Sequence, residues 1–131
     1  MRNWPLALLL IALGYNLVQA IGAPLTPLDP VSVTADTGEK PQSKVWRHAH
    51  TWWCVLSKSS GSWILKLQGT QWVEVLNISS STSTNADAKV DGDIVHILLY
   101  QGTTSHLASA EYVAATGLYQ PWTLRPTLSQ I

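Results

Sequence analysis

Thr51-Trp52-Trp53-Cys54-Val55-Leu56-Ser57 and Ile94-Val95-His96-Ile97-Leu98-Leu99-Tyr100 are the two stretches that decide the fold of this chain. Both are almost continuously apolar, rich in β-branched and aromatic side chains, and too short for a typical helix. This pattern predicts β-strands that are covered on both faces. The second stretch begins 43 positions after the first, which indicates an internal repeat.

The repeat extends outward from these stretches. The turn-like His48-Ala49-His50 aligns with Asp91-Gly92-Asp93 at the same offset, and Ser62–Leu65 aligns with Ser105–Ala108. Few residues are identical, and what recurs is the order of apolar run, turn and apolar run. Residues typical of hairpin turns, chiefly glycine, aspartate and serine, separate the runs.

Each unit is predicted to form four strands. The predicted strands are Val45–Arg47, Thr51–Ser57, Ser62–Leu67 and Gln71–Val75 in the first unit, and Ala88–Val90, Ile94–Tyr100, Ser105–Val113 and Pro121–Leu124 in the second. The alanine-rich Ala108–Ala115 favours a helix by propensity, but its alignment with Ser62–Leu67 favours a strand. Four strands in about 43 residues is the period of a β-propeller blade. We therefore expect an all-β fold of two four-stranded antiparallel propeller-type blades, an incomplete β-propeller.

Two blades do not make a ring, because a closed propeller needs about four to eight. Either the chain is a fragment, or several copies assemble as a homo-oligomer, or the second blade keeps an open apolar face. Six tryptophans follow residue 20. Since several of them fall at repeat positions, we expect most to fill the space between the blades.

The first twenty residues have the features of a secretory signal peptide. Arg2 is followed by the apolar run Leu6–Leu13, and small or apolar residues lead to Ala20. A membrane anchor is the alternative, but the apolar stretch is shorter than the ~20 residues that a bilayer requires. We expect cleavage after Ala20 and a secreted, periplasmic or extracellular protein that does not stay on a membrane.

The remaining boundaries follow from composition. Residues 21–43 contain four prolines and are predicted to be an extended leader, in which Val31–Ala35 forms a short strand. Blade 1 is expected over 44–78, and blade 2 over 79–131 together with the start of a further strand. The Ser/Thr run Ser79–Thr84 is predicted to be a flexible loop between the blades.

Charge and cysteine content exclude several classes of protein. Eight basic residues balance eight acidic ones, and only 12% of residues are charged, so no surface for nucleic acid or anionic lipid is expected. Cys54 is the single cysteine and cannot form an intrachain disulfide. Its apolar neighbours predict a buried, inert thiol.

Three segments carry a resemblance to known proteins. The first segment precedes the paired tryptophans and reads Lys40-Pro41-Gln42-Ser43-Lys44-Val45-Trp46-Arg47-His48. The second precedes the second apolar strand and reads Asn85-Ala86-Asp87-Ala88-Lys89-Val90-Asp91-Gly92-Asp93. The third ends the second unit and reads Tyr119-Gln120-Pro121-Trp122. Together they resemble secreted, sialidase-like β-propeller proteins of the Asp-box type, whose function is uncharacterised. The resemblance covers about Lys40 to Ile131. It implies a propeller in which further blades follow.

The resemblance does not extend to the sialidase catalytic residues. Asp-boxes have the form Ser-x-Asp-x-Gly-x-Thr-Trp, and the nearest match, Ser57–Trp63, lacks the aspartate. Sialidases also need a cluster of arginines for the substrate carboxylate, whereas only Arg47 and Arg125 follow residue 20. The carboxylates of Asp87–Asp93 are predicted to be turn-forming and solvated. We therefore predict no catalytic residues, no cofactor and no metal site.

Four residues are candidates for ligand binding, namely Trp46, His48, His50 and Trp52. An exposed tryptophan can stack on a sugar ring. His48 and His50 are two positions apart and could hold a metal with a third ligand, but their alignment with the Asp-Gly-Asp segment places them in a hairpin turn.

Three hypotheses for function follow. The first is a non-catalytic module that binds a glycan or a protein on its turns. The alternative is a fragment of a secreted, sialidase-like glycoside hydrolase whose catalytic residues lie outside this chain. The third is a structural module that closes a ring by oligomerising.

Overall fold

The computed structural model describes residues 25–38 and 42–124. The predicted signal peptide Met1–Ala20 and the predicted start of a further strand after residue 124 lie outside this range. Within it the protein is all-β, without any helix. Accordingly, no helix of the described part is long and apolar enough to cross a membrane.

Eight strands form two four-stranded antiparallel sheets, each a simple meander. Sheet 1 contains β1 (Val45–His48), β2 (Thr51–Lys58), β3 (Gly61–Gln68) and β4 (Gln71–Ser79), and sheet 2 contains β5 (Asn85–Asp91), β6 (Ile94–Gln101), β7 (Thr104–Val113) and β8 (Leu118–Pro121). The predicted all-β class with two four-stranded sheets is confirmed. The alanine-rich segment is a strand as far as Val113, because its alternate side chains pack between the sheets.

The 43-residue repeat holds for the first three strands of each sheet. β6 begins 43 positions after β2, β7 begins 43 positions after β3, and β5 ends 43 positions after β1. The fourth strand departs from the prediction, since β8 begins at Leu118 rather than Pro121. Gly117, whose φ of 67° is left-handed, ends the preceding turn, so the chain reverses three residues earlier than the sequence suggested.

Several other bounds also differ from the predictions. β4 continues to Ser79 and β5 begins at Asn85, so both strands are longer than expected. Val31–Ala35 is not a strand, because it makes isolated contacts with sheet 1 instead of a ladder of hydrogen bonds.

The predicted flexible loop at Ser79–Thr84 is anchored at its end. Thr84 is buried, and its hydroxyl lies 2.6 Å from the Ser62 hydroxyl and 3.0 Å from the Ser57 hydroxyl. These hydroxyls satisfy one another inside the protein, where an unpaired polar group would be costly. The link between the sheets is therefore held in place by buried hydrogen bonds.

The apolar core lies between the two sheets. It consists of Trp46, Trp53, Val55 and Ile64 from sheet 1, and of Ala86, Val95, Ile97, Leu99, Ala110 and Tyr119 from sheet 2. β1 and β2 lie against β5 while β4 lies against β8, so the sheets stack with their strands in the same order. We call the face of each sheet that points toward the other its inner face, and the opposite one its outer face.

Equivalent residues lie on the inner face of sheet 1 and on the outer face of sheet 2. Val55 and Ile64, paired across β2 and β3, are 1% and 0% exposed on the inner face of sheet 1. Their counterparts Leu98 and Leu107, paired across β6 and β7, lie on the outer face of sheet 2 and are 41% and 51% exposed. Equivalent residues occupy the same positions in their strands, and the sheets stack with their strands in the same order, so these side chains point in the same direction. Those of sheet 1 therefore point toward sheet 2, and those of sheet 2 point away from sheet 1.

Segment 29–34 crosses the outer face of sheet 1. The Asp29 N–H donates to the Thr70 carbonyl (2.9 Å) at one end of the sheet, and the Thr34 N–H donates to the Ser57 carbonyl (3.0 Å) at the other. The Thr34 hydroxyl also donates to a backbone carbonyl of the loop between the sheets. Since sheet 2 fills the inner face, the segment passes over the outer one.

Coverage of the two central strands is therefore unequal. Cys54 and Leu65, on the outer face of sheet 1, are 2% and 0% exposed, so the predicted two-sided burial is confirmed for the centre of β2, whereas Trp52 near its start is exposed. The same prediction is wrong for β6, whose outer side chain Leu98 is exposed. Segment 29–34 crosses the outer face of sheet 1.

The prediction that most tryptophans fill the space between the sheets is wrong. Of the six tryptophans after residue 20, only Trp46 and Trp53 belong to the inter-sheet core. The others lie on or beside the outer faces, and they are Trp52, Trp63, Trp72 and Trp122. Alternation along β2 sends the neighbouring indoles of Trp52 and Trp53 to opposite faces.

We expect Gly61→Ala to lower the free energy of unfolding by more than about 2 kcal/mol. Gly61 has a φ of 123°, and a Cβ there would lie 2.4 Å from the Ser79 carbonyl oxygen, so the backbone must shift. Gly102→Ala is the matched control, because Gly102 has a φ of 58° and open space around it, and we expect a loss of about 1 kcal/mol. Urea unfolding followed by tryptophan fluorescence measures both, and equal losses would contradict the close approach.

Candidate functional site

Four turns meet at one end of the two sheets, which we call the turn end. They are the β1–β2 turn (49–50), the β3–β4 turn (69–70), the β5–β6 turn (92–93) and the β7–β8 turn (114–117). Polar contacts join the sheets here: His48 Nε2 lies 3.3 Å from Asp93 Oδ1, and Lys66 Nζ donates to the Gly117 carbonyl at 3.0 Å. All four sequence-predicted candidates lie on β1, on β2 or in the turn between them.

His48 is packed among aromatic rings beneath the turns. Its ring meets Tyr112 edge-on at 4.7 Å between centroids, and it lies 5.9 Å from the ring of Tyr119. Its Nδ1 atom is buried, and no described residue bonds to it. The imidazole therefore acts as a wedge between the sheets, with only Nε2 directed toward the exposed carboxylate of Asp93.

Trp46 lies deeper in the same layer. It is 8% exposed, and its indole N–H donates to the Tyr119 hydroxyl at 3.2 Å. Burial raises the pKa of the Tyr119 phenol, and the hydrogen bond from Trp46 only partly opposes that rise. The phenol therefore stays protonated at neutral pH. Trp46 is a core residue in this arrangement, and its ring is covered by sheet 2.

His50 is exposed in a strained turn. Ala49 and His50 have φ values of 48° and 61°, the left-handed region that a tight hairpin turn requires at both central positions. Glycine or asparagine usually occupies such positions, because a Cβ there costs about 1 kcal/mol. Strain of this kind concentrates at functional sites. Of the two candidate histidines, His50 is the accessible one.

Trp52 lies on the outer face of sheet 1, next to this turn, and is 48% exposed. Arg47 is its partner across β1 and β2 and is also exposed. On β3, Lys66 pairs with Trp53, so the next residue, Leu67, lies across from Trp52. Leu67 in turn pairs with Trp72 on β4. The two indoles are therefore in one row, two strands or about 10 Å apart. We call the residues Arg47, Trp52, Leu67 and Trp72 the tryptophan row.

The candidates thus separate into two layers. Trp46 and His48 form the buried layer, whereas His50 and Trp52 can be reached from solvent. Sequence reasoning missed Arg47, Tyr112 and Tyr119. The repeat alignment of the two turns could have placed Asp93 near His48, because equivalent turns lie at the same end of stacked meanders.

The described residues offer no metal centre. In the ranges 25–38 and 42–124, no three histidine, cysteine, aspartate or glutamate side chains converge in a way that could hold an ion. A groove of about 560 Å³ lies between β4 and β7, lined in part by Asn77, His106 and Trp122. It contains none of the four candidate residues.

In comparisons with known proteins, no protein family, curated protein or solved structure matches the chain.

We expect the Cys54 thiol to react with an alkylating reagent about a hundredfold more slowly in the folded protein than in urea. Burial raises the pKa of Cys54 to about 12, and the nearby charge of Lys44 opposes this only weakly. The folded-state pKa exceeds the unfolded one, so this contribution to stability is complete below about pH 9 and is lost as the pH rises through 12. Fast labelling of the folded protein at neutral pH would contradict the burial of this thiol.

Replacing the strained turn by Ala49→Asn with His50→Gly should raise the free energy of unfolding by about 1 kcal/mol. Both new residues tolerate a positive φ. The matched control is Gly92→Ala in the equivalent turn of sheet 2, where φ is 58° and the expected change is a loss of about 1 kcal/mol. Thermal and urea unfolding measure both variants. An unchanged or lowered stability of the double variant would show that the turn stores no strain.

Proposed function

We propose that this chain is a secreted, non-catalytic module of the sialidase-like β-propeller type, and that it binds a glycan on the tryptophan row at the turn end. The observation that carries the proposal is the indole of Trp52, which is half exposed on the outer face of sheet 1, with the exposed Arg47 as its cross-strand partner.

The reversal of faces supports the propeller-type arrangement. In a propeller each sheet packs one face on the next sheet and the opposite face on the previous one. Equivalent residues of consecutive sheets therefore point in the same direction around the ring, as Val55 and Leu98 do here. A sandwich related by a two-fold axis would instead bury equivalent faces against each other.

The tryptophan row has the chemistry that a sugar requires. An indole offers a broad apolar surface for the C–H face of a pyranose, and a guanidinium supplies several donors for hydroxyl or carboxylate oxygens. The imidazole of His50 stands at the end of the row.

The carboxylates near this row favour binding over hydrolysis. Glycosidases place two carboxylates on either side of the scissile bond. On this side of sheet 1, Glu74 forms an ion pair with Lys58, and Asp29 accepts a hydrogen bond from the Thr70 hydroxyl at 3.2 Å. Asp93 belongs to the other sheet. Glu74 and Asp29 are thus already engaged by partners of their own.

Trp52→Ala should weaken glycan binding at least about tenfold, equivalent to ~1.4 kcal/mol, because the stacking surface is removed. Trp52→Phe should retain part of the affinity. The purified protein is first tested on a glycan array, and the best ligand is then measured by calorimetry. Leu98→Ala is the control, since Leu98 is similarly exposed on the outer face of the other sheet. The proposal fails if the wild-type protein binds no glycan, or if Trp52→Ala binds as the wild type does.

A further inference from the structure

We propose that the outer face of sheet 2 is a docking surface for a second copy of this chain, and that the two copies pack this face against each other across a two-fold axis. We call this surface the leucine face, and it is formed by Asp87, Lys89, His96, Leu98 and Leu107. The inference is independent of glycan binding, because the tryptophan row lies on the other sheet and faces away.

The leucine face repeats the surface that sheet 1 buries. Leu98 and Leu107 are the repeat equivalents of Val55 and Ile64, which form the centre of the inter-sheet core. They keep the same cross-strand pairing, yet Leu98 is 41% exposed and Leu107 is 51% exposed. A hollow of about 440 Å³ beside them is lined by Lys89 and His96 and can receive a side chain from a partner. A paired apolar surface of this kind marks an interaction site.

The rest of the chain restricts how a second copy can bind. In head-to-tail addition the leucine face would pack as the inner face of sheet 1 does, against a surface equivalent to the inner face of sheet 2. On a second copy, that equivalent surface is the outer face of sheet 1. Segment 29–34 crosses that face, on which Cys54 and Leu65 are buried. An extended segment between two sheets would hold them beyond their normal packing distance of about 10 Å. Head-to-tail addition is therefore obstructed.

The charges of the leucine face complement themselves. Asp87 and Lys89 are two residues apart on β5 and point to the same side. The Ser43 N–H donates to the Asp87 carboxylate at 2.8 Å, which holds this side chain at the edge of the face. A two-fold axis that passes between Asp87 and Lys89, perpendicular to the strands, places Lys89 of each copy opposite Asp87 of the other. The same axis brings the leucine pairs of both copies side by side. An isologous interface requires this kind of self-complementarity.

The remaining charged groups of this face do not oppose the arrangement. Asp91 and Glu111 lie in the row beyond His96, at the opposite end from the leucine pair. By the same symmetry they face the row of Tyr100 and Ser105 of the second copy rather than one another. Like-charge contact is thereby avoided, and these carboxylates stay at the rim.

The first test is the solution mass of the purified full chain, measured by sedimentation over a concentration series from micromolar to millimolar. We expect a dimer for the wild type and a monomer for Leu98→Glu, with at least a tenfold increase in the dimer Kd. Val45→Glu is the matched control, because Val45 is 53% exposed on the outer face of sheet 1 and should leave the dimer intact. Leu98 is exposed, so its substitution should not prevent folding, and circular dichroism verifies this.

The second test uses the charges. Lys89→Glu and Asp87→Lys should each weaken self-association, whereas a mixture of the two variants should form a heterodimer that native mass spectrometry detects. The proposal is overturned if the wild type is a monomer at every concentration or if Leu98→Glu remains a dimer. It is also overturned if Val45→Glu is a monomer, a result that would favour head-to-tail stacking. Glycan affinity per chain should be the same for Leu98→Glu and the wild type, so failure of either proposal leaves the other to be judged by itself.

Discussion

The contact between the inner faces of the two sheets is the interaction on which the rest of the structure depends. Trp53 of sheet 1 meets Tyr119 of sheet 2 edge-on at 4.8 Å between ring centroids, and both side chains are buried. Each large apolar side chain buried there contributes about 1.5–3 kcal/mol. Neither sheet alone would cover its apolar face, so the two meanders must form together to make a stable unit.

This contact also determines where the exposed groups lie. Once Trp53 points inward, alternation along β2 sends Trp52 outward, and the strained turn holds His50 at the adjacent end of the sheet. The position of the tryptophan row therefore follows from the packing of the core. Because the two sheets stack in the same orientation, Leu98, the equivalent of the inward Val55, points outward on sheet 2.

Local patterns in the sequence account for much of this fold. The apolar runs locate β2 and β6, and glycine, aspartate and serine mark the hairpin turns, because strand alternation and turn geometry depend on neighbouring residues. The position of β8 is predicted incorrectly, since Tyr119 is drawn into the core by contacts with Trp46 and Trp53 that are distant in sequence. The burial of Trp46 and the path of segment 29–34 depend on the same kind of long-range contact. For the same reason, nothing in the spacing of the four candidate residues indicates which of them face solvent.

Segment 29–34 has a consequence for the order in which the protein folds. Both meanders consist of hairpins between neighbouring strands, and such local contacts form early. The segment reaches its partners over long sequence separations, and Asp29 is 41 residues from Thr70. Its hydrogen bonds require both ends of sheet 1, so we expect it to become ordered late and to open early. During that interval Cys54 and Leu65 are uncovered, and a newly made chain presents apolar surfaces on both sides of its sheet pair. Conditions that slow this final step therefore favour aggregation, even though the folded chain keeps one of these surfaces covered.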